Sequence, residues 1–169
     1  MIEKTKAGFR LERVSLGLEP MHIARVLHVE PKIASGWESP KNFYSIPEAA
    51  WKVLGFVRNW HDTRVRAFVL LAKELVEQNN GEKPEHVPIP MYRTEQVWRS
   101  FAVKRGDPKM IDFRMANAAS WDAGQRLSDA GFSVRFYYPD LDQPGIEYVE
   151  SFGRTYEEPV VSVDESMLI

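Results

Sequence analysis

The sequence predicts a mainly α-helical chain with a smaller α+β part towards its carboxyl side. Three observations point there. Short helical segments follow one another at the start, one apolar stripe runs for roughly seven turns in the middle, and helical and strand patterns alternate after a proline-rich break. The 169 residues, 44% apolar and 27% charged, suit one or two globular domains.

Taken in order, the first segment runs from about Thr5 to Leu18, with Phe9, Leu11, Val14 and Leu18 on one helical stripe. A second helix fits Pro20 to Leu27, because proline is tolerated in a first turn and Ile23, Ala24 and Leu27 turn inward. A third fits Pro31 to about Glu38. Ser45-Ile46-Pro47-Glu48 then reads as a capping box, Ser45 accepting from a free N–H and Glu48 reaching back. The long helix it opens carries Ala50, Val53, Leu54, Val57, Trp60, Val65, Phe68, Leu71, Ala72 and Leu75 on its inner face. Gly55 costs about 1 kcal/mol relative to alanine and marks a place where that helix can break. Asn79-Asn80-Gly81 is its stop signal.

Residues 82–90 contain three prolines and read as a linker into a second unit of about 55 residues, a size at which association often supplies missing burial. A strand is expected near Ile89–Tyr92, a helix near Glu95–Lys104, a strand near Met110–Met115 and a helix near Ala118–Ala130, stopped by Gly131. The strand Phe132–Tyr138 follows, alternating Phe132, Val134, Phe136 and Tyr138 against Ser133, Arg135 and Tyr137. Ile146–Phe152 and Val160–Val163 read either as edge strands or as parts of a tail. The expected organisation is residues 1–81, 82–139 and an acidic tail at 140–169.

Composition removes several function classes. The chain has no cysteine, so disulfides, thiolate metal sites and a cysteine nucleophile are excluded. There is no GxSxG, P-loop or GxGxxG. His22, His28, His61 and His86 lack metal-site spacing, and Asp107, Asp112 and Asp122 read as loop, turn and cap residues. No enzyme activity, metal or cofactor is therefore expected. Trp51, Trp60, Trp98 and Trp121 read as core or dimer interface. With no membrane-length apolar run and no signal-peptide core, the expected compartment is the cytoplasm. Residues 1–139 hold 21 Lys and Arg against 16 Asp and Glu, a surplus of five positive charges, whereas 140–169 set Arg154 against eight acids. A mildly basic body can meet a polyanion. The tail is either simply solvated or lies against that body and competes with phosphate.

Three short helices, the second and third joined tightly, make a helix-turn-helix arrangement. Residues 9–39, FRLERVSLGLEPMHIARVLHVEPKIASGWES, resemble the Xre/Cro-type helix-turn-helix family without gaps. Gly17-Leu18 matches the end of that family's first helix, Ile23-Ala24 its core step, Leu27 and Val29 its turn, and Trp37-Glu38 the close of its third helix. Over roughly residues 5–138 the stretches SGWESPKNFYSIPEAAW, GEKPEHVPIPMY and IDFRMANAASWDAGQRLSDAGFSVRFYY are similar to the YdiL-like family, which includes anti-CRISPR-associated autorepressors. The chain departs from the Xre pattern at Pro20, where a polar residue is usual, and at His28, where the turn has glycine.

The resemblance implies a lambda-repressor-like amino-terminal bundle, a long connecting helix and a small α+β dimerisation domain. It places Arg13 beside Glu38 as a structural tie and Trp37 in the core. It further implies a dimeric repressor on an inverted repeat in double-stranded DNA, its own operon being one target, while RNA binding follows by family analogy only. The outward positions of the third helix are Pro31, Lys32, Ile33, Ser35 and Gly36. Lys32 suits a guanine edge or phosphate, Ile33 a thymine methyl and Ser35 either base edge. Lys6, Arg10, Arg25, Lys41 and Asn42 are the candidate phosphate contacts. The thin base-reading set leaves a second reading open: a protein-binding module, antitoxin-like or a phage accessory factor, on a degenerate scaffold.

Overall fold

A computed structural model describes residues 4–141. Its elements in chain order are α1 (Lys6–Ser15), α2 (Pro20–Val26), α3 (Pro31–Trp37), α4 (Glu48–Gln78), β1 (Val87–Pro90), α5 (Glu95–Arg105), α6 (Phe113–Asp129) and β2 (Val134–Tyr137). Over the described residues the fold is thus mainly helical with one small parallel sheet, β1 beside β2 in the register Val87 to Val134 and Ile89 to Phe136. Ile146–Phe152, Val160–Val163 and the tail beyond Leu141 lie outside the described residues. No described helix is long and apolar enough to cross a membrane.

Thr5 caps α1 by accepting from the Gly8 N–H at 3.0 Å. The buried stripe of α1 differs from the expected one: Leu11 and Val14 are exposed, at 70% and 58%, while Phe9, Arg13 and Leu16 are buried. An arginine on the inward stripe hides the true face from a hydrophobicity pattern. After α1 the chain turns at Gly17, whose φ is +72°. A Cβ there would stand 2.5 Å from the Arg114 carbonyl oxygen, so this turn presses directly on the first turn of α6. Between α2 and α3 it is His28 that takes positive φ, at 53°, a conformation histidine tolerates better than most residues.

The capping box expected at Ser45 does not form. Helix α4 starts at Glu48 with Pro47 as its cap residue and no side-chain cap bond, and the Glu48 carboxylate instead receives Lys4 Nζ at 2.8 Å. The helix then runs unbroken through Gly55, where nothing lies within 4 Å of an added Cβ, for 31 residues or about 46 Å. It stops at Asn79, with Asn80 and Gly81 both at positive φ.

The strand expected at Met110–Met115 is also absent. Its apolar positions alternate, but Asp112, in the polar place, accepts from the Arg114 and Met115 N–H groups at 3.0 and 3.1 Å and opens α6. The buried core is continuous from Phe9 on α1 to Leu127 on α6 and crosses residues 81–82 without a gap. At its centre Trp60 and Trp98 meet edge to face at 6.3 Å, and Tyr92 meets Trp98 at 4.9 Å. Such pairs add about 0.5–1.5 kcal/mol each beyond their burial. Arg64, one turn from Trp60 and from Phe68, is fully buried, its guanidinium carbon 5.1–5.6 Å from the Trp60, Phe68 and Trp98 ring centres.

In β2 the expected inward alternation holds only in part. Phe136 does lean on α6, close enough to Gly124 that a side chain there would collide with its ring, and it stacks on Trp121 at 5.5 Å. This contact lies at the rim, so Phe136, Tyr138 and Trp121 remain exposed while Tyr137, on the other face, is buried. Trp121 is thus outside the core to which Trp60 and Trp98 belong.

Candidate nucleic-acid interface

Helix α3 is held from behind and open in front. Ala34 and Trp37 are its buried residues, packed into the core. At its end Glu38 receives Arg13 Nε at 2.5 Å and Arg13 Nη2 at 3.0 Å, and Arg13 also donates to the Leu18 carbonyl. Both side chains are about nine-tenths buried. A two-pronged guanidinium–carboxylate pair fixes orientation as well as distance, and it ties the carboxyl end of α3 to α1.

In front, Pro31, Lys32, Ile33 and Ser35 are all exposed, Ile33 at 45%. Nothing in the described chain covers them. Lys32 Nζ reaches Glu30 at 2.8 Å across open surface, an exchangeable partner. Ser35 Oγ donates to the Pro31 carbonyl at 3.0 Å, one turn back. Gly36 is half-buried beside Asn42.

The other candidate contacts divide into two groups. Arg10 on α1, Arg25 on α2 and Lys41 after α3 are exposed. Lys6 and Asn42 are engaged in structure instead: Lys6 Nζ donates to the Ser39 carbonyl at 3.0 Å and to the Asn42 carbonyl, and Asn42 Nδ2 donates to the Gly36 carbonyl at 3.1 Å. Together they pin the loop that leaves α3. That loop presents two aromatic side chains that pattern reading passes over, Phe43, fully exposed, and Tyr44, at 74%. Tyr44 and Ser45 share a groove of about 490 Å³ with Lys32, Ile33 and Trp37. The available signal was a pair of adjacent aromatics in a segment outside any helical stripe.

Helix α2 is fixed differently. His22 Nδ1 accepts the Glu19 N–H at 2.9 Å, which leaves Nε2 to donate to Asp112 Oδ2 at 3.0 Å. Burial pushes the Asp112 carboxyl up, but hydrogen bonds from His22 and from the Met115 and Arg114 N–H groups outweigh it and hold the carboxyl below its ordinary value. On α4, burial lowers the His61 pKa against the opposing pull of Asp62 and Asp122. Of the remaining expected acids, Asp107 accepts from Trp60 Nε1 at 3.4 Å and Asp122 pairs with Arg126 at 3.1 Å. Among the described residues no group of three His, Asp or Glu is placed to hold a metal ion.

No family model, curated protein or solved structure matches the chain.

Proposed function

We propose that the protein is a non-enzymatic, sequence-specific DNA-binding regulator, a repressor whose own operon is the first target to test. In this reading α2 and α3 are a helix-turn-helix pair and α3 enters the major groove. The single observation that carries it is the outward face of α3, where Pro31, Lys32, Ile33 and Ser35 stand free of the fold while Arg13–Glu38 and Trp37 fix the helix from behind. Arg10, Arg25 and Lys41, all exposed, are the cations this reading assigns to the phosphates.

A dimer supplies the second reader. Two strands make the whole sheet among the described residues, so each has an edge. On β1 the odd positions donate to β2, Val87 to Ser133 and Met91 to Tyr137, each at 2.8 Å. Pro88 and Pro90 therefore face the other way, and proline blunts that edge. The accessible edge is β2, beside the exposed rings of Trp121, Phe136 and Tyr138. Two copies joined there across a two-fold axis would address half-sites one DNA turn apart, about 34 Å, or a multiple of it.

Fluorescence anisotropy with DNA from upstream of its own gene tests the reading. Binding should fall steeply between about 50 and 200 mM salt as counterions are released. A second reading, a protein-binding module, is favoured by one specific observation: exposed Tyr44 shares a groove with Ile33, and the adjoining Phe43 is fully exposed. Loss of all DNA binding even near 50 mM salt would select it.

A further inference from the structure

Away from α3, the carboxyl-terminal halves of α4 and α6 enclose a cleft of about 350 Å³. That volume lies within the range of small-molecule sites. Its floor is apolar, built from Val65 and Val69 on α4, Leu127 on α6, and Phe132 just beyond it. Its charged lining residues are all cationic: Arg66, Lys73 and Arg126.

The state of those cations narrows the ligand. Arg66 donates to the Asp62 carbonyl at 3.2 Å, a neutral acceptor that leaves its charge uncompensated. Lys73 makes no ion pair among the described residues, and Arg126 shares its charge with Asp122 at 3.1 Å. The wall behind them is fixed, because Lys83 Nζ lies 4.7 Å from the centre of the Phe132 ring and donates to the Ala130 and Gly131 carbonyls at 2.9 Å. A cationic ligand would be repelled at the rim. A small polar ion would leave the floor wet, and a neutral hydrocarbon would leave the cations unused.

We propose that this cleft binds an amphipathic organic anion, with an aliphatic or aromatic body on the Val65–Phe132 floor and a carboxylate at Arg66, Lys73 and Arg126. Charge-assisted hydrogen bonds from the rim orient the head, and the floor supplies apolar burial. This site is independent of the DNA reading, and its test requires no DNA.

Titration calorimetry on the full chain, with octanoate, 2-naphthoate and octylammonium as probes, tests it. Saturable one-site binding of at least one carboxylate is expected, with octylammonium at least tenfold weaker. Lys73→Glu, an exposed change, should weaken the carboxylate at least tenfold, and Val69→Trp should block it by filling the floor. No saturable binding of either carboxylate, equal binding of octylammonium, or an unchanged affinity in Lys73→Glu would overturn the proposal.

Discussion

Helices α2 and α3 have the same length, seven residues, and each opens on proline, yet the protein treats them oppositely. Helix α2 buries His22, Ile23 and Ala24 and is latched to the start of α6 through His22 and Asp112. Helix α3 buries two residues and turns four side chains outward. The difference is one of attachment rather than propensity: an anchoring helix is gripped along its length, whereas a displaying helix is gripped at its rear and its end. A surface left open by a fold that fixes everything around it is where recognition is expected.

Breaking the grip on α3 should have the largest effect. Glu38→Ala leaves the Arg13 guanidinium buried without its carboxylate, and such losses cost about 3–5 kcal/mol. Urea unfolding should show that drop, and an unchanged midpoint would mean the pair is not the tie that sets α3. Next comes the grip on α2. Gly17→Ala places a methyl group against the Arg114 carbonyl at a positive φ, so destabilisation beyond about 1 kcal/mol is expected, read by the same unfolding curve.

Proton linkage sharpens the comparison further. The folded Asp112 carboxyl titrates below its ordinary value of 3.8. Its stabilising contribution is therefore complete above about pH 4 and is lost as pH falls through the folded value. Asp112→Asn, which can still cap α6, should flatten the acid limb of stability below about pH 4. His61 has the opposite origin, burial of a neutral ring. The unfolded chain takes up its proton first, so stability declines as pH falls from the ordinary 6.5 towards the lowered folded value. His61→Gln should remove that slope. The smallest stability effect belongs to the open face: Lys32→Ala should change unfolding by no more than about 0.5 kcal/mol while weakening DNA binding and lowering its salt slope by about one.

How far the sequence reveals this arrangement depends on where the determining signal sits. The proline starts of α2 and α3, Trp37-Glu38 and the Asn-Asn-Gly stop are local, and the elements they bound are legible. Arg13 is placed beside Glu38 by the family resemblance, and that pair forms, although the hydrophobic stripe alone leaves it out. Arg64 is not legible, because it is a charge on a buried face, set among the Trp60 and Phe68 rings one turn away on its own helix and the Trp98 ring of α5. Asp112 shows the same limit. Between Ile111 and Phe113 it mimics the polar beat of a strand, and only its two backbone partners disclose a helix start. At the candidate interface, the outward positions of α3 follow from helical spacing. The employment of Lys6 and Asn42 as loop pins does not, since Lys6 reaches a turn more than thirty residues away and Asn42 folds back onto the Gly36 carbonyl in a loop that follows no helical spacing.

Amide hydrogen exchange on the full chain, with and without DNA from upstream of its gene, tests the difference between the two helices most directly. Protection gained on binding should concentrate in residues 31–44 and leave 20–26 nearly unchanged, because that stretch is already held by α6. Protection concentrated in 20–26, or confined to the β2 edge while 31–44 exchanges as before, would contradict the assignment of α3 as the reading helix.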